Sequence, residues 1–217
     1  MSTVPLSTLV DWLDRFRDVV TEQRAHLTEL DSAIGDADHG ANMARGMAAV
    51  AEKLAAGAPA TADELFKSVG MTLVTSVGGA SGPLYGTFFL RMGMSAGAVA
   101  ELDPAALAAA LRAGLDGIVA RGKAEAGDKT MFDAMAPAVD ALDAALAAGS
   151  SLAEASAAAA EAAEHGRDAT EPLVARKGRA SYLGERSAGH IDPGAASTAL
   201  LFRTLADALA GLGADAR

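Results

Sequence analysis

Apolar residues recur at three- and four-residue spacing along nearly the whole chain, and no long stretch alternates apolar with polar. Leu6, Leu9, Val10, Leu13, Phe16 and Val20 form the first such face, which continues through Leu27 to Leu30. Later faces are Met43, Met47, Val50 and Leu54; Leu65, Val69 and Leu73; Leu84, Phe88 and Met92; and Leu107, Leu111, Leu115 and Ile118. Met131, Met135, Val139 and Leu142 make another, and Leu201, Leu205, Leu209 and Leu212 the last. This is the period of one face of an α-helix. No stretch is rich in Val, Ile and Thr, as a strand would be. The pattern predicts an all-α fold of about eight amphipathic helices. Without linker-like composition or an internal repeat, it predicts a single domain over residues 1–217.

Local signals mark the ends of these helices. Pro5 suits a first helical turn, and Gly57 and Pro59 stop the helix before them. Thr61 with Glu64, and Ser151 with Glu154, have capping-box spacing; Asp103-Pro104 is a cap followed by a first-turn proline. The alanine-rich stretch 144–163 reads as helix with a small-residue face, extending to near Thr170. Residues 176–194 carry no helical pattern.

Composition narrows the functions. Hydrophobic residues make up 51% of the chain but aromatics only 4%, which suits close helix packing. There is no cysteine, which excludes disulfides and thiolate metal sites. No apolar run approaches about 18 residues, so no membrane span is expected, and the N-terminal Met-Ser-Thr-Val-Pro-Leu lacks the features of a secretory signal. A cytoplasmic location is the expectation. A net charge of −10 disfavours nucleic acid, because that affinity depends on Lys and Arg at phosphates.

Residues 31–42, Asp-Ser-Ala-Ile-Gly-Asp-Ala-Asp-His-Gly-Ala-Asn, stand out against this background. Asp31, Asp36 and Asp38 fall within eight residues, with Gly35 and Gly40 allowing the backbone to bend. Carboxylates gathered between two helices suit Mg²⁺ or Ca²⁺, which prefer oxygen ligands. The start of the next helix, with free N–H groups and a positive dipole end, favours a phosphate. Caps and turns also collect aspartates. An EF-hand does not fit: counted from Asp36, its sixth position is Ala41 and its twelfth Met47, where Gly and Glu are required. His39 lies among hard oxygen ligands, so it reads as a phosphate contact rather than a metal ligand, with transient phosphorylation as a second role. His26 and His165 read as surface residues.

Other loops add candidates. The small residues of 77–83 let backbone approach a ligand, although a plain helix–helix turn looks the same. Residues 117–123 match the opening of a P-loop, but Ala124 replaces the metal-binding hydroxyl and no strand precedes the run. Gly122 is either a ligand contact or a helix C-cap. Arg176, Lys177, Arg179 and Arg186 place four of the 18 basic residues within eleven positions, suggesting a phosphate or acidic contact. Asp192-Pro193-Gly194 reads as a turn.

Taken together, these motifs resemble the nucleotide-binding L subunit of dihydroxyacetone kinase. The runs that carry the likeness are Asp31-Ser-Ala-Ile-Gly-Asp36-Ala-Asp38-His39-Gly40-Ala41-Asn42-Met43, Gly79-Ala80-Ser81-Gly82-Pro83-Leu84-Tyr85-Gly86 and Gly127-Asp128-Lys129-Thr130-Met131. They continue with residues 179–190 and Asp192-Pro193-Gly194. They span the chain in order, and no motif position departs from the family pattern. The related fatty acid kinase branch carries Asp-Gly-Asp-Thr-Gly where this chain has Asp36-Ala37-Asp38-His39-Gly40, which disfavours it.

The resemblance implies a barrel of eight antiparallel amphipathic helices with ADP or ATP and two Mg²⁺ ions at one rim. By position, Asp31, Asp36 and Asp38 would be the metal ligands. His39, Gly40, Ala41, Asn42, Ala80 and Ser81 would contact phosphates, and Gly122, Met131, Arg179, Asp192, Pro193 and Gly194 would line the rest of the nucleotide site. No residue of this chain is expected to act as a covalent catalyst, since phosphoryl transfer depends on positioning and charge neutralisation. The family also implies a separate K subunit holding dihydroxyacetone on a histidine, and a phosphohistidine carrier of the sugar phosphotransferase system that recharges bound ADP. An ATP-dependent form, a related ketose such as a tetrulose, a nucleotide-loaded regulatory module and a homodimer are alternatives. The separate subunit favours the phosphotransferase form.

Overall fold

The structure, a computed structural model, describes residues 3–213; Met1 and Ser2, part of the stretch read above for a signal, lie outside the described residues, as do residues 214–217. The helices are α1 (Leu6–Glu22), α2 (Arg24–Ile34), α3 (His39–Ala56), α4 (Ala62–Ser76), α5 (Ser81–Ala96), α6 (Pro104–Gly122), α7 (Phe132–Ala147), α8 (Leu152–Ala169) and α9 (Pro193–Ala210). A 3₁₀ segment, Arg179–Ser187, lies between α8 and α9, and two-residue strands β1 (Val4–Pro5) and β2 (Glu101–Leu102) pair antiparallel.

The fold is all-α, as the spacing predicts. The first helical face is broken at Gln23, whose backbone (φ −84, ψ 8) leaves the helical region. Val20 and Leu27 are both buried, so the apolar pattern runs through the break, and neither Gly nor Pro marks it. Contacts run α1–α3–α4–α5–α6–α7–α8–α9 and return from α9 to α1, closing a ring of eight, with α2 packed on α3 and α9. Short connections from α3 through α8 suit antiparallel packing of those neighbours, whereas a 3₁₀-containing stretch of residues 170–192 joins α8 to α9. One apolar cluster draws residues from every α-helix, including Trp12, Phe66 and Phe89 from α1, α4 and α5. Each fully buried Leu or Phe adds roughly 1.5–3 kcal/mol.

The helix ends follow the sequence in part. Ser151 and Glu154 form the reciprocal capping box, and Asp103 accepts from Ala106 N (2.7 Å) ahead of Pro104. Thr61 does not cap: its hydroxyl donates to Asp63 Oδ1, while the Glu64 carboxylate takes Ala60 N (3.0 Å). Pro5 is the N-cap of α1 rather than a first-turn residue.

The hairpin α4–α5 is closed by two glycines. A Cβ on Gly70 would lie 2.7 Å from Gly86 O, and one on Gly86 would lie 2.9 Å from Gly70 O. Only residues without a side chain allow this approach. Among the described residues, no helix is long and apolar enough to cross a membrane.

Candidate functional site

A cleft of about 440 Å³ opens at one rim of the ring, within the size range of small-molecule sites. It is lined by the α2–α3 junction, the start of α5, the end of α6, residues 129–131, residues 177–180 and the start of α9.

The α2–α3 junction supplies the carboxylates. Asp31 sits in the last turn of α2, not in a loop, and is 7% exposed. Its Oδ2 accepts the backbone N–H of Asp38 (2.8 Å) and of His39 (3.1 Å). The side chain of one helix thus caps the start of the next and takes N–H groups that the sequence reading left for a phosphate. Gly35 is required here, because a Cβ would lie 2.0 Å from Asp31 Oδ1. Ala37, between Asp36 and Asp38, has a φ of 61°, a left-handed conformation uncommon for a residue with a Cβ. The bend brings one oxygen each from Asp31, Asp36 and Asp38 within 4.8 Å of one another. Arg179 faces the trio, its Nη2 3.0 Å from Asp36 Oδ2. Three convergent carboxylates on the wall of a cleft form a hard-oxygen donor set that fits a divalent cation.

His39 is held from both sides. Nδ1 is 3.1 Å from Ser81 Oγ on α5, and Nε2 is 2.9 Å from Ser197 Oγ on α9. Ser197 Oγ also lies 3.1 Å from Gly194 O, so the imidazole is bridged between a hydroxyl of α5 and a hydroxyl of α9. Tyr85 OH completes the network, 2.8 Å from Ser197 Oγ and 3.1 Å from Thr198 Oγ1. Burial lowers the His39 pKa to about 4, against the charges of Asp31 and Asp38, so the ring is neutral at pH 7. Both nitrogens are engaged inside the protein, Nδ1 with Ser81 and Nε2 with Ser197.

The turn between α4 and α5 brings Ala80 and Ser81 to the cleft, with Gly79 at a φ of 64°. Beside it, α6 ends at Gly122, where an added Cβ would lie 3.3 Å from Leu84; the left-handed C-cap is Lys123 (φ 50°) rather than the glycine. Asp192 caps α9, its Oδ2 accepting Ala195 N (2.7 Å). Burial raises the Asp192 pKa to about 7, partly opposed by its hydrogen bond from Ala195.

The cleft brings together Asp31, Asp36, Asp38, His39, Ala80, Ser81, Gly122, Met131, Arg179, Asp192, Pro193 and Gly194. Three motif residues lie off it. Gly40 packs on α2, where a Cβ would meet Arg24 O at 2.1 Å. Ala41 borders a shallow groove on another face, beside Thr28 and Ala37. Asn42 is buried behind the α4–α5 turn, its Oδ1 accepting Arg45 Nη2 (2.6 Å), where it stands in contact range of a Cβ at Gly78. Of the basic island, Lys177 and Arg179 line the cleft and Arg176 and Arg186 do not. Sequence reasoning missed Arg121 and Lys129 as lining residues, and Ser197 behind the cleft as the partner of His39. Lys129 belongs to a quoted motif, but a lysine reads as surface until its burial is known.

The sequence model of the DAK2 domain matches residues 33–207. The chain is 48% identical over 202 residues to the PEP-dependent dihydroxyacetone kinase, ADP-binding subunit DhaL, of Escherichia coli K12, covering 91% of this chain and 94% of that one. It is 45% identical over 205 residues to the PTS-dependent dihydroxyacetone kinase, ADP-binding subunit DhaL, of Lactococcus lactis, covering 94% and 98%. Among solved structures, it is similar to the dihydroxyacetone kinase of C. freundii (TM-score 0.70, 28% identity, 90% of this chain and 33% of that one). The same enzyme in complex with AMP-PNP and Mg²⁺ aligns with a TM-score of 0.67 at 29% identity, over 90% and 33%. The chain spans about a third of these solved kinase chains.

Proposed function

The chain belongs to the DAK2-domain family, and on that premise we propose that it is the nucleotide-carrying subunit of a dihydroxyacetone kinase, a phosphotransferase whose acceptor sugar sits on a separate K subunit. The observation that carries this reading is the trio Asp31, Asp36 and Asp38 on a rim cleft, with the Arg179 guanidinium beside Asp36. An acidic chain grips a polyphosphate only if cations supply the positive charge locally. Bound Mg²⁺ would neutralise and orient phosphate oxygens there.

The chain's own residues position the nucleotide. Asp31 is fixed by two backbone N–H donors, so its carboxylate is pre-aimed. Neutral His39 holds the Ser81 hydroxyl by a hydrogen bond at Nδ1 (3.1 Å), which orients that side chain at the start of α5. Arg179 brings positive charge to the mouth of the cleft, while Ile118, Leu84 and Met131 offer an apolar surface for a base. No side chain is asked to form a covalent intermediate, consistent with positioning as the main source of rate in phosphoryl transfer. The ADP-binding subunits named among its relatives support ADP as a resident cofactor, recharged by a phosphohistidine carrier, with residues 1–217 forming one nucleotide-binding unit.

The purified protein should carry ADP in native mass spectrometry. Mixed with a K subunit and dihydroxyacetone, it should yield product with phosphoenolpyruvate and the carrier proteins. Product with ATP alone would move the reading to the ATP-dependent form; product with neither donor would reject the kinase reading in that pairing. Asp36→Ala should lose nucleotide retention, and an Asp36→Ala protein that still holds ADP and Mg²⁺ normally would overturn the ligand assignment.

A further inference from the structure

Lys129 differs from a surface lysine in every respect. It is 1% exposed, and its backbone takes a left-handed conformation (φ 63°), a costly geometry for a residue with a Cβ. Its Nζ donates to four backbone carbonyls: Thr170 O (3.0 Å), Glu171 O (3.3 Å), Leu173 O (3.0 Å) and His190 O (2.5 Å). An ammonium has only three protons, so four acceptors solvate the charge as a whole, much as carbonyl cages hold K⁺. Burial lowers the pKa of Lys129, and the charges of Asp192 and Glu171 oppose that shift.

All four carbonyls belong to the stretch between α8 and α9, which also carries Arg179 and Asp192. This wall contributes little to the main apolar core. Ala175 and Ala180 pack with Ile34 in a small separate cluster. Polar ties hold the wall instead, among them Arg176 N to Asp128 O (3.1 Å) and Asp192 N to Thr170 Oγ1 (3.0 Å). Lys129 is the tie that joins both ends of the wall, Thr170 and His190, to the floor at Thr130 and Met131.

We infer that Lys129 is a positioning residue for the cleft: a built-in cation whose carbonyl cage sets the wall bearing Arg179 and Asp192 at its working distance from the floor. What the cleft holds rests on the nucleotide reading above; the anchoring does not.

The chain has no cysteine, so Lys129→Cys introduces its only thiol. Alkylation in denaturant with bromoethylamine, then refolding, restores a side chain of lysine length ending in an ammonium. Bromopropane gives a neutral chain of the same length. The ammonium form should bind Mg·ADP within about threefold of the unmodified protein, and the propyl form about tenfold or more weakly, because its cage carbonyls are left without a donor. Amide hydrogen exchange across residues 170–192 should be faster in the propyl form while the helices of the ring stay protected.

Equal affinity and equal exchange in the two forms would reduce Lys129 to a space filler and overturn the inference. So would loss of the helical signal in the propyl form, which would make the residue a support of the whole fold, or failure of the ammonium form to recover both readouts. If the unmodified protein does not bind Mg·ADP, the nucleotide reading fails by itself, and the exchange comparison still decides the anchoring.

Discussion

Arg179 and Asp36 meet at 3.0 Å across the mouth of the cleft, joining the wall before α9 to the carboxylate loop. The Asp36 carboxylate is also one of the three that converge. A divalent cation there competes with Arg179 for the same group. Arg179→Gln should therefore tighten Mn²⁺ binding to the nucleotide-free protein a few-fold, yet weaken Mg·ADP by about tenfold through the lost positive charge at the cleft mouth. The two side chains are 66% and 37% exposed, so melting should barely change. Mn²⁺ titrations followed by electron paramagnetic resonance, with and without ADP, test this; parallel weakening in both would contradict the competition.

Gly35→Ala should disrupt the carboxylate loop without replacing a carboxylate. The new Cβ would lie 2.0 Å from Asp31 Oδ1, and a displaced Asp31 abandons the N–H groups of Asp38 and His39. A loss of about 1–3 kcal/mol in stability is expected from those unmet donors, together with loss of most Mn²⁺ affinity. Urea denaturation and metal titration measure the two effects, and retention of both would show that the loop shifts at no cost.

His39 and Asp192 should pull the pH dependence of stability in opposite directions. Folding lowers the His39 pKa from 6.5 to about 4, so its contribution is complete above pH 6.5 and fades as the pH falls toward 4. Folding raises the Asp192 pKa from 3.8 to about 7, so its contribution is complete below pH 3.8 and fades as the pH rises toward 7. Each is on the order of 3 kcal/mol, and in their shared window they offset one another. His39→Gln should make stability fall with rising pH between 4 and 7 relative to the unmodified protein, and Asp192→Asn should make it rise. Urea midpoints in metal-free buffer check the slopes; three parallel profiles would refute both assignments.

Ala37 tests the strain in the loop. At a φ of 61°, glycine is relieved of the Cβ conflict but costs more chain entropy, so Ala37→Gly should change stability by less than about 0.5 kcal/mol. Ala37→Val adds a β-branch at the same angle and should cost about 1–2 kcal/mol. Thermal melts of the two variants separate the effects, and equal losses would place the origin elsewhere.

Most of the ring was legible because apolar spacing survives even where the backbone breaks. Leu9, Phe16, Val20 and Leu27 stay on one buried line across Gln23, which is also why the break itself left no trace in the sequence. The aspartate trio was legible as residue types at close spacing. That Asp31 belongs to a helix was not, because its role depends on a hydrogen bond to residues seven and eight positions later. Ala41 and Asn42 lie in the same motif as His39, yet each helical step turns a side chain by about 100°, carrying them off the cleft. Lys129 and Ser197 owe their roles to partners 41 or more residues away, which no local pattern encodes.

Gly70 and Gly86 each fill the space that the other would need for a side chain. Most tight contacts leave an evolutionary exit, in which one residue grows as its neighbour shrinks. Here neither partner has anything left to give up, so the crossing of α4 and α5 cannot drift by paired substitution. The turn that presents Ala80 and Ser81 is thereby carried on a hairpin that no side chain at either glycine can enter without prising α4 from α5.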